Sequence, residues 1–132
     1  MAVRDDAWQD GTFEVRVSQG DGEESAYQAR GLIHWTRLFA LDRRWVREGF
    51  WRGRRRRAWV VTHMPTGWAV GAFGQRRQAE RVCRQLLDLE FDWQIAEPRR
   101  VTEETQAKVR PILTRSGELG KNVFLQRPEV LL

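Results

Sequence analysis

RAWVVTHMPTGWAVGAF, residues 57 to 73, contains two β-rich runs on either side of Met64, Pro65, Thr66 and Gly67. Proline presets one turn dihedral and glycine accepts a positive φ, so runs joined this way read as an antiparallel hairpin. A four-residue loop sets His63 opposite Trp68, Val61 opposite Val70 and Trp59 opposite Ala72, which places those six residues on one face. The other face then carries Ala58, Val60, Thr62, Ala69, Gly71 and Phe73.

Downstream, Ala79, Val82, Cys83, Leu86 and Leu87 recur at spacings of three and four within residues 75 to 89. This is the stripe of an amphipathic helix that must dock on a sheet, with Arg76, Glu80, Arg84 and Asp88 alternating in sign on its other side. Phe91, Trp93 and Ile95 alternate with polar residues and predict a further strand, stopped by Pro98. Thr102 with Glu103 and Glu104 forms a helix start, and Pro111 predicts a short helix over 103 to 110. Upstream, Phe13, Val15 and Val17 alternate with Thr12, Glu14 and Arg16 as a half-buried strand does, and SQGDGEE, residues 18 to 24, reads as a turn. Residues 26 to 42 fit either a helix face or strands, with one or two strands preferred.

The order of elements predicts an α+β domain over residues 1 to 115, an antiparallel sheet of about four or five strands with both helices on one face, followed by a tail or arm over 116 to 132. A chain of 132 residues with 41% apolar and 31% charged side chains suits one hydrophobic core. No apolar stretch is long enough to span a membrane and MAVRDDAWQD lacks a signal-peptide core, so the expected location is cytoplasmic, without a membrane partner. A single cysteine, Cys83, leaves no intramolecular disulfide, and its place on the helix stripe reads as a small core residue.

The residues offer no recognisable catalytic site. Cys83, His34 and His63 lie on segments unsuited to converge on zinc, and no cofactor motif is present. None of Ser18, Ser25 and Ser116 sits in a nucleophile elbow, and the glycines of GWAVGAFG fall inside the hairpin rather than between a strand and a helix. Asp88, Glu90 and Asp92 read as solvated acids in preference to a cation site, and Glu118 with Lys121 lacks a rigid strand to hold it. His63 reads as the partner of Trp68 across the hairpin in preference to a base. The expectation is a non-enzymatic binding protein without metal or cofactor.

Of 23 basic residues only Lys108 and Lys121 are lysine. A GC-rich genome accounts for that count, so position is more informative. Residues 1 to 30 hold three arginines against seven acids, a net of −4, whereas residues 42 to 57 hold eight arginines against two acids, a net of +6. The candidate site is this basic segment: Arg43, Arg44, Trp45, Arg47, Trp51, Arg52, Arg54, Arg55, Arg56 and Arg57. Arginine supplies phosphate contacts and an exposed indole stacks on an unpaired base, while a two-stranded ribbon fits a duplex groove. Trp59, Trp68 and Trp93 are expected in the core, and Trp45 and Trp51 at the surface. The expected partner is nucleic acid, DNA or RNA. The alternative is an acidic protein surface, met by an inhibitor module such as a phage or plasmid carries against host defence, anti-CRISPR-like in acting by protein contact. The apolar end Val130, Leu131, Leu132 points to a homodimer as the self-associated form.

Overall fold

The β-hairpin read from residues 57 to 73 forms one edge of the sheet in the computed structural model, which describes residues 7–18, 24–47, 55–94, 103–117 and 119. Five strands, β1 (Trp8–Ser18), β2 (Glu24–His34), β3 (Phe39–Arg47), β4 (Arg55–His63) and β5 (Ala69–Phe73), form one sheet in chain order. Each neighbouring pair is antiparallel. Helices α1 (Arg76–Leu87) and α2 (Glu103–Arg115) complete an α+β fold.

The hairpin register departs from the expected one by a single residue. At the turn the Gly67 amide donates to the His63 carbonyl at 2.7 Å and the His63 amide to the Trp68 carbonyl at 3.0 Å, as a four-residue loop requires. Gly67 takes φ +80°, a conformation that glycine enters without steric cost. Past Thr62↔Ala69 the register shifts, and Val61 pairs with Gly71, Val60 with Ala72 and Trp59 with Phe73. The bulge turns Phe73 to the helix side beside Val61, Trp68 and Val70, and sends Ala72 to the opposite face with Ala58 and Val60. A strict period of two put Ala72 and Phe73 the other way round, because an unpaired extra residue leaves no mark in the alternation.

Helix α1 buries Ala79, Val82, Cys83 and Leu86 completely against that face, with Phe39, Leu41 and Phe73 beneath. Gln75 and Gln78 cap its start reciprocally. Burial, and then the Glu80 carboxylate, push the Cys83 thiol well above its ordinary pKa. Native protein is therefore expected to be inert to a thiol reagent such as Ellman's at pH 8 and to react only in denaturant; rapid reaction when folded would contradict the buried placement.

Two expectations downstream need correction. Helix α2 continues through Pro111 to Arg115 instead of stopping near Arg110. Pro111 has no N–H to offer the Ala107 carbonyl, but both residues are exposed, and burial of Val109, Ile112 and Leu113 holds the helix on the core. The strand expected around Phe91 to Ile95 is absent from the described part of that segment: residues 91 to 94 form bends and a turn, and Ile95 lies outside the described residues. Trp93 is instead a plug, 3% exposed, whose indole N–H donates to the Leu86 carbonyl at 2.9 Å at the end of α1.

The segment over 26 to 42 resolves into β2, a turn and the start of β3. β2 and β3 pair only at Leu32↔Leu41 and Ile33↔Ala40. The β1–β2 hairpin then packs Phe13, Val15, Ala29 and Ile33 against Ala40, with Met64 at the edge, on the face away from the helices. The Arg16 amide donates to the Gly67 carbonyl at 2.8 Å, tying β1 to the β4–β5 turn. The crossing at β3 requires Gly31, where a Cβ would lie 2.0 Å from the Leu41 carbonyl oxygen. Of the tail, Leu119 packs on Ala58, Val60 and Ala72 and its amide donates to the Ala72 carbonyl at 2.7 Å. Among the described residues no helix is long and apolar enough to cross a membrane.

Candidate nucleic-acid interface

The far end of β3 and β4 is a two-stranded ribbon. β2 pairs with β3 no further than Leu41, and β5 pairs with β4 no further than Trp59. The pairs Arg44↔Ala58, Trp45↔Arg57, Val46↔Arg56 and Arg47↔Arg55 therefore have no third strand beside them among the described residues. At about 3.4 Å per residue the ribbon continues for roughly 10 Å past the rest of the sheet.

Alternation sorts the candidate residues. Arg43, Trp45 and Arg57 share the parity of Leu41, Trp59 and Val61, so they lie on the helix side. Trp45 is 57% exposed, Arg43 and Arg57 are exposed, and the Arg57 guanidinium carbon lies 6.0 Å from the centroid of the Trp45 ring. The exposed indole thus has a cation at its side. Arg44 and Arg56 fall on the opposite side. Arg56 is exposed and its guanidinium reaches Gly74, where a Cβ would stand 2.9 Å from its Nη2.

Arg44 is structural. Its Nε donates to Asp42 Oδ2 at 2.9 Å and its Nη2 to Asp42 Oδ1 at 2.7 Å, with a third bond to Thr62 Oγ1 at 3.1 Å. The Asp42 side chain is 6% exposed and that of Arg44 17%, so the pair is a bidentate lock on the sheet face. For Arg47 and Arg55 the backbone alone is described, and Trp51, Arg52 and Arg54 lie outside the described residues.

No family model, curated protein or solved structure matches this chain. The chemistry of the ribbon therefore rests on its own residues. Among the described residues no group of three or more His, Cys, Asp or Glu side chains could hold a metal ion. His63 is fully buried between Phe39 and Trp93. Its Nε2–H donates to the Trp93 carbonyl at 2.6 Å, which leaves Nδ1 to accept from the Thr66 hydroxyl at 3.0 Å. Burial pushes its pKa down to about 4, against a smaller opposing effect of the Trp93 carbonyl. A neutral imidazole sealed this way is a core strut joining sheet to loop.

Trp68 and Trp93 are buried as expected, Trp59 is half-buried and Trp45 is at the surface; Trp51 lies outside the described residues. Two surface features lie beyond the residues singled out by sequence. Trp35, 71% exposed, occupies the β2–β3 turn at the other end of β3 from Trp45. On α1, Arg76 pairs with Glu80, but Arg77, Arg81 and Arg84 are exposed without an ion pair to a described residue. The ambiguous reading of residues 26 to 42 concealed the first, and the alternating charges of α1 suggested paired arginines in place of the second.

Proposed function

We propose that this protein binds nucleic acid through the β3–β4 ribbon. The observation that carries the reading is Trp45, an indole 57% exposed on a strand end with Arg57 opposite it and Arg43 on the same side. An exposed indole face can stack on a flat partner, and its arginine neighbours favour one that is both flat and anionic. A base with its phosphate satisfies both. The Asp42–Arg44 pair neutralises Arg44 at the ribbon's base, so this arginine does not add to the binding charge.

Fluorescence anisotropy of labelled oligonucleotides, read with tryptophan quenching, tests this reading. Binding is expected to weaken steeply with salt, by a slope of about 0.7 to 0.9 per neutralised phosphate. Trp45→Ala is expected to cost about 1 to 3 kcal/mol of binding, and Arg43→Gln with Arg57→Gln to flatten the salt slope by about 1.5. If wild-type protein binds no oligonucleotide at low salt, the ribbon is not a nucleic-acid site, and an acidic protein surface becomes the partner to seek.

A further inference from the structure

Helix α1 begins at the foot of the ribbon. β5 runs antiparallel to β4 and ends with Phe73 opposite Trp59, and Gly74 and Gln75 then lead into α1 at Arg76. The Arg56 guanidinium lies against Gly74 at that junction. From there α1 runs back over the sheet, its buried side formed by Ala79, Val82, Cys83 and Leu86. At 100° per residue the side directly opposite is Arg77, Arg81 and Arg84, followed by Asp88.

Two of those three arginines, Arg77 and Arg81, are placed against their own helix, whereas Arg84 sits in the last turn, where the macrodipole favours a cation. Arg77 sits in the first turn, where the helix macrodipole disfavours a cation, and no acid occupies that turn. Arg81 is four residues from Arg77 and three from Arg84, so each faces a like charge on the same side. Arg76, one residue away, is by contrast matched by Glu80. The row extends for about 10 Å along the helix axis at 1.5 Å per residue. Repulsion of this kind is relieved by a continuous anion, and it starts where the ribbon's own basic surface ends.

We infer that Arg77, Arg81 and Arg84 form a second, unassigned contact row for the backbone of a single-stranded nucleic acid whose bases stack at Trp45. This rests on the nucleic-acid reading of the ribbon and extends it. Single strand is the form chosen because an exposed indole needs an unpaired base. A flexible backbone can also pass from the ribbon's side to the outward face of the helix, which a stiff duplex follows poorly.

The test compares fluorescein-labelled dT5, dT15, rU15 and a 15-base-pair duplex, with wild type and the triple variant Arg77→Gln, Arg81→Gln, Arg84→Gln. Glutamine keeps the helix propensity of arginine, and circular dichroism confirms that the variant is folded. On dT15 or rU15 the triple variant is expected to flatten the salt slope by about 2 and weaken binding by roughly ten- to a hundred-fold at 0.1 M salt, with the same tryptophan quenching at saturation. On dT5, held at the ribbon, it is expected to change little. The triple lysine variant should restore the slope, as a purely electrostatic row requires. An unchanged dT15 slope in the folded variant overturns the α1 row while leaving the ribbon reading intact. Tighter binding of the duplex than of dT15 overturns the single-strand assignment. Absence of binding by wild type to all four probes overturns the ribbon reading itself.

Discussion

Arg44→Ala is expected to lower the free energy of unfolding by about 3 kcal/mol, whereas Arg57→Ala should lower it by no more than about 1 kcal/mol. The two arginines belong to one basic segment, but their surroundings differ. Removing Arg44 leaves the Asp42 carboxylate, 6% exposed, without its bidentate partner and deprives buried Thr62 of a donor. An uncompensated buried charge costs far more than the pair contributes. Arg57 loses only an exposed contact with Trp45. Urea denaturation at pH 7 measures both. The double variant Asp42→Ala, Arg44→Ala should recover part of the loss, because no charge is then stranded. Equal costs for the two single variants would refute the distinction. A binding defect in an Arg44 variant consequently reports a disturbed sheet, while a defect in Arg57→Ala reports contact with the ligand.

Acidification is expected to remove about 3 kcal/mol of stability through His63 alone. Its pKa is about 4 in the folded protein against an ordinary 6.5. Between those values the unfolded chain binds a proton at this residue and the folded chain does not. The contribution is therefore complete above pH 6.5, declines as pH falls, and is gone below pH 4. His34, whose pKa burial also lowers, acts in the same direction. Denaturation curves at pH 7.0, 5.5 and 4.5 for wild type and His63→Gln separate this effect from titrating carboxylates. The wild type should lose more stability than the variant over that interval, and parallel losses would place the sensitivity elsewhere.

The candidate site was partly legible in the sequence. A run of arginines with interleaved tryptophans marks a basic, aromatic segment from composition alone, and Trp45 does lie at the surface. Which arginine is held inward depends on the side chains it meets on its own face of the sheet. Asp42, close by in sequence, looked like one of two acids diluting the positive charge, yet it folds inward and takes Arg44 with it. Of the α1 row the sequence reading marked only Arg84, as one of an alternating set, since helix periodicity allows Arg84 and Asp88 to pair and only the folded side chains show that they do not.

What the sequence by itself determined is local: the hairpin from its Pro-Thr-Gly turn, the first strand from alternation, α1 from spacings of three and four, and hence an antiparallel α+β fold. Each depends on the fixed side-chain periods of strand and helix, which a short window contains in full. The tertiary structure alone decided the bulge that turns Phe73 to the core, the passage of α2 through Pro111, the use of Trp93 as a plug and the separate fates of Arg44 and Arg57. Except for Asp42, which is two residues from Arg44 but is turned inward by the fold of the sheet, the deciding partner is distant in the chain or hidden by an irregularity, and burial against that partner outweighs the local preference.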